Sequence, residues 1–427
     1  MSTFFLNNRP VMKNPFTGPL ADAGSDTMKT IKTVPFRGTP WGARLVPFLG
    51  AVLLAVGFAR AQGFDVGSNG SGGDVVISTN TTMDLPPDGR IHVRSLTVNS
   101  GVTLQFRKNT NNTPVVILAQ SSIVVDGTIS VNGFDRSNLA GGEGGPGGFG
   151  GGNPGFGPEF PPGHGYGPGG GLAGVNSCSS GDGIASGGSF GTRGFSSPSG
   201  VYGDALLLSL VGGSGGGGAG GTLEGGGGGG GAILLAANQR ITIRGTVQAL
   251  GGFGGACNNA GSGGAIRLVS FRVEGTGVLD CRAGATPNRG LGNTDTGFGR
   301  IRIDTLERSG LTFSAIRGVF VAGSNLISLP PAVPSLAVIK AAGKDVPQDS
   351  GTVTFILPFD SDPAQTIKVR ASGFGRVVPI LVTLTPDSGS PIRITSQIDN
   401  TAPTPAEVEV PVTLPTNTRV TVHVWTE

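Results

Sequence analysis

Within residues 141–231, 41 of 91 positions are glycine, including GGEGGPGGFGGG at 141–152 and seven consecutive glycines at 225–231. A stretch this poor in side chains cannot bury a core of its own. Backbone N–H and C=O groups shielded from water need partners, so the tract either bonds laterally to neighbouring segments or stays disordered. GGX triplets suit a polyglycine-II or PPII-like helix with three residues per turn, where only glycine lets adjacent segments lie close. Collagen is the obvious rival, but the triplet frame breaks at Asn153-Pro154 and proline is too sparse for a triple helix. Ordered packing is expected over a disordered linker, because a structureless loop of this length inside a domain is uncommon. The apolar piece ALLLSLV (205–211) is expected to dock against the rest as a strand.

Around the tract the sequence repeats. PVVILAQSSIVVDGTISVNG (114–133) aligns without a gap on AILLAANQRITIRGTVQALG (232–251). Val115, Ile117, Ala119, Ile123, Val125, Gly127, Ile129 and Val131 then fall on Ile233, Leu235, Ala237, Ile241, Ile243, Gly245, Val247 and Ala249. A third copy occupies 265–284, a degenerate fourth 300–318, and an earlier one 90–106. Gly245, Gly277 and Gly310 are 32 and 33 residues apart and Gly101 precedes Gly127 by 26, which makes them candidate corners. The 118-residue step from Gly127 to Gly245 is one period with the tract inserted. One copy cannot bury its apolar face alone, whereas stacked copies bury a continuous column. The class is all-β, and the prediction is a right-handed parallel β-helix with strands of successive coils about 4.8 Å apart. A stack of antiparallel hairpins is the alternative.

Composition sets the remaining boundaries. Residues 1–61 read as an N-terminal extension and signal peptide: 45–59 is an apolar run preceded by Arg44 and followed by the small-x-small site Ala59-Arg60-Ala61, so that Gln62 starts the mature chain. Met28 is a second candidate start. A membrane anchor is the alternative, but the run is shorter than the roughly 20 residues a span needs. Processing removes seven basic and two acidic residues, turning the full chain's +3 into −2, so no global field favours nucleic acid. Residues 62–89 are a lead-in or cap around Val75-Val76-Ile77, and 90–328 hold the repeats with the glycine-rich insertion 134–231. Across 329–427 seven alternating segments (336–340, 352–357, 366–371, 377–385, 391–396, 406–413 and 418–425) predict an Ig- or fibronectin-III-like β-sandwich, with Trp425 as a core or edge anchor.

Signals for chemistry are sparse. With 79 glycines, a GxGxxG match carries no weight, and no phosphate-loop sequence occurs. Cys178, Cys257 and Cys281 are an odd set. Cys178 and Cys257 sit in small-residue loops and are the candidate disulfide, while Cys281 reads as a core thiol. His92, His164 and His423 have no metal-ligand spacing and are expected on solvated surfaces, and no metal or cofactor is expected. One constellation is basic: Arg267 and Arg302 share an outward register, with Arg300 beside them and His92 in the equivalent place earlier. Such a cationic ladder can bind the carboxylates of an acidic polysaccharide. The plainer reading is a solubilising ladder paired with Asp304 and Glu274, and Val116 and Leu234 interrupt it. A pectinase-like lyase or hydrolase needs clustered carboxylates, yet Asp126, Asp280, Asp295 and Asp304 form no cluster in the repeat frame.

The phrases VYGDALLLSLVGGSGGGG (201–218) and GGGGGGGAILLAANQRITIRGTVQALGG (225–252) resemble a loosely defined group of secreted, glycine-rich bacterial β-helix proteins of adhesin-like type. The likeness is compositional and covers roughly 88–320, and the C-terminal part resembles Ig-like modules appended to such proteins. It implies an extracellular or cell-surface structural or adhesive protein that binds polysaccharide or matrix components, and it brings no catalytic residues. A polysaccharide lyase or hydrolase is the alternative. Ice or mineral binding by a flat glycine face is a minor third.

Overall fold

The computed structural model describes the strand Thr3–Asn7 and residues 64–426, apart from 138, 158–159, 175–184, 221–223, 256–258, 286–296, 330–333, 348–351, 388–390 and 417. The chain is all-β, with long parallel sheets in the repeat region.

Repeat copies stack in register. In a nine-stranded sheet, Val115–Ala119 and Ser122–Val125 both pair with the long strand Ala232–Ile243, which pairs with Ala265–Glu274, then Arg300–Asp304, then Val319–Gly323. A second, six-stranded sheet carries Thr128–Ser130, Thr246–Gln248, Val278–Asp280 and Ala315–Arg317 in order. Every pairing in both sheets is parallel. The gapless alignment holds residue by residue: Val115 faces Ile233, Ile117 faces Leu235, Ile123 faces Ile241 and Ile129 faces Val247. Their side chains, with Ile266, Leu268, Val273, Leu279, Ile301 and Ile303 of later copies, form one buried core between the sheets. Val75–Ile77, within the strand Asp74–Ile77, pairs at the far edge of the first sheet.

One corner differs from expectation. Val278 and Leu279 face Ala315 and Ile316, and the Ser314 amide donates to Gly277 O, so Ser314 and not Gly310 is the equivalent of Gly277. Gly310 instead accepts from Gly275 N, inside a few extra residues that the last coil carries before its corner.

The described part of the glycine tract is ordered by lateral hydrogen bonds, which run with a three-residue period along 225–231. Along 225–231, the amides of Gly226 and Gly229 donate to Gly152 and Phe149, those of Gly227 and Gly230 to Asn259 and Ser262, and those of Gly228 and Gly231 to Phe134 and Val131. The carbonyls of the same segment accept in the same rhythm. Gly226 and Gly229 take Gly142 and Gly145, Gly227 and Gly230 take Gly216 and Gly213, and Gly228 and Gly231 take Gly252 and Ala265. Neighbouring backbones thus surround this segment, and its peptide groups are satisfied with no side-chain help. Glycine is required by close approach: a Cβ at Gly228 would fall on the carbonyl of Glu143, and one at Gly252 on that of Phe134.

The 205–211 piece docks as expected but not as a strand. Leu207 has φ 49°, which breaks the extension, and the Leu206 amide is caught by the Asp204 carboxylate. Leu207 and Val211 nevertheless bury beside Phe149, Phe190, Tyr202 and Trp425.

All seven C-terminal segments are strands, in two sheets sharing one core. Ser335–Ala341, Ala364–Ser372 and Ala406–Thr413, with the short Lys344–Asp345, make one sheet; Thr352–Ile356, Arg419–Thr426, Arg376–Pro386 and Ile392–Asn400 belong to the other. Thr3–Asn7 lies between Thr352–Ile356 (antiparallel) and Arg419–Thr426 (parallel). Along Arg419–Thr426, Val420, Val422 and Val424 enter the shared core. Strand alternation turns Thr421, His423 and Trp425 the other way, where Trp425 meets Phe149 of the glycine layer edge-on at 5.7 Å.

Candidate functional site

The arginines expected to form an exposed ladder are buried. Register places Arg267 on Arg302 across adjacent coils, as expected, and continues through Leu234 and Val116 to Arg90, so His92 is two residues out of that row. His92 faces Leu118 instead, and its Nδ1 accepts the Asn69 amide at 3.3 Å. Val66, with Phe64, Leu326 and Leu329, covers this face and packs on Val116, Leu118, Leu234, Ala236 and Val269. The apolar side chains at 116 and 234, which interrupt the ladder in the sequence, were the sign of that covering.

Arg267 is 1% exposed; its guanidinium donates to the carbonyls of Ile327 and Ser328 and lies 3.4 Å from Asp304 Oδ2. Arg302 donates to Asp304 Oδ1 at 2.6 Å, and the Asn325 amide donates to the same oxygen. Burial pulls the Arg267 guanidinium below its usual range, opposed by the Asp304 charge. Arg300 is half-buried, stacks over Phe190 at 5.7 Å and donates to Tyr202 O. These groups hold the strand face to the segment covering it, and Arg267 and Arg302 offer no open surface to a polysaccharide. Cys178 and Cys257 lie outside the described residues; Cys281 is buried, with its thiol pushed up by burial.

Carboxylates on the coils are engaged by arginines of the same or the next coil. Asp126 takes Arg244 in a two-point contact at 2.6 and 3.0 Å, Asp280 takes Arg282 and Arg317, Glu274 takes Arg240 and Arg272, and Asp74 takes Arg94. Asp295 lies outside the described residues. Among the described residues no group of three or more His, Cys, Asp or Glu side chains could hold a metal ion.

A different site emerges where the glycine layer meets the strand Arg419–Thr426. A cavity of about 610 Å³ is lined by glycine backbone from 141–151 and by Lys108, Asn112, Glu143, Tyr166 and His423, among others. Asn112, in the left-handed region at φ 46°, clamps its rim: its side chain accepts from Gly147 N and donates to Gly148 O, both at 2.8 Å. Asn153 accepts from Gly141 N, and Arg419 pairs with Asp387 at 2.8 Å. Tyr166 anchors its amide on Gly150 O, and its hydroxyl lies beside Thr421 and Arg419.

His423 is the exception. Only 6% exposed, it stacks on Trp425 (5.1 Å, 12°) and meets Phe149 and Tyr166 edge-on at 6.5 and 6.3 Å. Burial alone lowers its pKa from 6.5 to about 4, so the ring is neutral at pH 7. The ring makes no hydrogen bond among the described residues, and its nitrogens are not among the fully buried polar atoms that lack a partner, so they keep contact with the space of the cavity. His423 is expected on a solvated surface and Trp425 as a core or edge anchor, yet positions two apart on a strand share a face, and that relation was the available signal. His164 is half-buried, accepts from Ala173 N and is lowered to about 4 by burial and by Arg393. No protein-family model, curated protein or solved structure matches the chain.

Proposed function

We propose that this chain is a non-enzymatic extracellular or cell-surface protein of structural and adhesive type. Its repeats form a right-handed parallel β-helix, its glycine tract a polyglycine-II-like slab on the flank, and its C-terminal domain an Ig-like sandwich docked on that slab. The observation that carries this reading is the glycine layer, where backbone bonds in every lateral direction stiffen a surface with almost no reactive side chains. Pairing of the coil carboxylates with arginines supports it further, since an acid/base pair for glycoside cleavage needs carboxyls free to exchange protons.

Export follows from the leader expected at 1–61, and N-terminal sequencing of the secreted form should begin at Gln62. That processing also removes Thr3–Asn7, on which Thr352–Ile356 depends for its pairing, so amide exchange in 352–356 should rise in the processed form. Adhesion is tested by binding of the purified protein to bacterial cells, to immobilised glycans and to itself; absence of all three sinks the adhesive reading. Release of reducing ends or unsaturated products from acidic polysaccharides would establish the hydrolase or lyase alternative instead.

A further inference from the structure

We propose that the cavity between the glycine layer and the strand Arg419–Thr426 binds the end of a neutral glycan, with the His423 imidazole hydrogen-bonding its hydroxyl groups. This deepens the adhesive reading and rests on it. Other polar groups around the cavity are already engaged. Asn112, Asn153, Tyr166 and Arg419 are each tied to backbone or to a neighbouring side chain, so they shape the walls. His423 faces the same space with both ring nitrogens unpaired. The ring nitrogens reach the cavity, so water satisfies them in the free protein and a ligand hydroxyl can take the water's place. Phenylalanine would keep the stack on Trp425 but offer the cavity neither a donor nor an acceptor.

The chemistry of the ring narrows the ligand. A neutral imidazole presents one N–H donor and one lone pair, and a sugar hydroxyl, which both donates and accepts, matches either. A carboxylate or phosphate, which only accepts, can use the ring's N–H but leaves its lone pair unmatched. The charged residues around the space are balanced: Lys108 and Arg419 are set against Glu143 and Asp387, so no net field selects an anion. Glycine methylenes and the edges of Phe149 and Tyr166 offer flat apolar surface for the C–H face of a pyranose ring. The volume of about 610 Å³ lies within the range of ligand pockets, about 300–1,000 Å³.

The test titrates the purified protein, labelled with ¹⁵N-histidine, with the methyl glycosides of glucose, galactose, mannose and N-acetylglucosamine. Concentrations reach about 10 mM, since one sugar held by a few hydrogen bonds binds near millimolar. The expected result is that at least one glycoside shifts the His423 ring signals, identified by their loss in His423→Phe. The same variant should weaken that glycoside at least about tenfold, the worth of one well-made hydrogen bond, while unfolding at or above the wild-type temperature. His423→Gln, which retains a donor and an acceptor, should recover part of the affinity. Silence of the His423 signals across the panel overturns the proposal, as does glycoside binding that His423→Phe leaves intact. In either case, cell or glycan adhesion by the same preparation would show that only this site has failed. Loss of adhesion as well would mean that the reading beneath it has failed too.

Discussion

Adjacent glycines in the slab should respond oppositely to a single methyl group. At Gly151 a Cβ would lie 2.5 Å from the carbonyl carbon of Gly226 and 2.9 Å from Gly227 O. An ordinary contact with a carbonyl carbon is roughly 3.4 Å, so the two backbones must part by about 1 Å. That movement strains the bonds from Gly226 N to Gly152 O and from Gly142 N to Gly226 O, each 2.9 Å long. Overpacking costs about 1–3 kcal/mol, and each weakened buried bond adds about 1 kcal/mol. Gly151→Ala should therefore destabilise by about 3–5 kcal/mol. With an unfolding entropy of about 2.1 cal/mol/K per residue, the melting temperature of a chain this long falls by about 3–6 °C. At Gly150 the nearest atoms to a Cβ are Gly142 O at 3.5 Å and Tyr166 Cδ2 at 3.7 Å, both ordinary contacts. Gly150→Ala should leave stability unchanged or raise it by about 0.4–1 kcal/mol through the less flexible unfolded chain. Scanning calorimetry of both variants beside the wild type decides the matter. Equal melting temperatures for all three would mean that 141–152 is not packed laterally, and the slab argument would fail.

Three other outcomes follow from the same geometry. His423 and His164 titrate near 4 when folded and near 6.5 when unfolded, so their contribution is intact above pH 6.5 and lost as pH falls from 6.5 through 4. His423 accounts for about 3 kcal/mol of that loss, and urea unfolding at pH 7 and pH 4.5 should show His423→Phe losing less stability than the wild type. Asp304→Ala leaves two buried guanidinium groups unpaired and should cost about 3–5 kcal/mol in urea unfolding; a loss under about 1 kcal/mol would show that the Arg267 site is wetter than described. Cys281, fully buried with its thiol pushed up, should resist iodoacetamide in the folded protein and react once it is unfolded, as read by peptide mass spectrometry.

Periodicity in the sequence was sufficient for the coil stack, because a buried column demands the same residue type at the same corner in each copy. Val115, Ile233 and Ile266 could be aligned by eye and do lie side by side. The glycine tract was equally legible in kind: with no side chains to bury, only lateral backbone bonding could order it. Its neighbours were not legible, since identical residues carry no information about which segment lies beside which, and contacts such as Gly228 with Phe134 depend on how the coils turn. The last corner moved from Gly310 to Ser314 because glycine marks a permissible bend and not an obligatory one. Exposure was the other blind spot. Strand alternation says that Arg267 and His423 point away from their own cores, but outward on one layer is inward once another layer covers it. The segment carrying Leu326 and Leu329 buries the first, and Phe149 of the glycine slab buries the second. Local pattern determines which face of a strand a residue occupies; only the meeting of distant segments determines whether that face sees water.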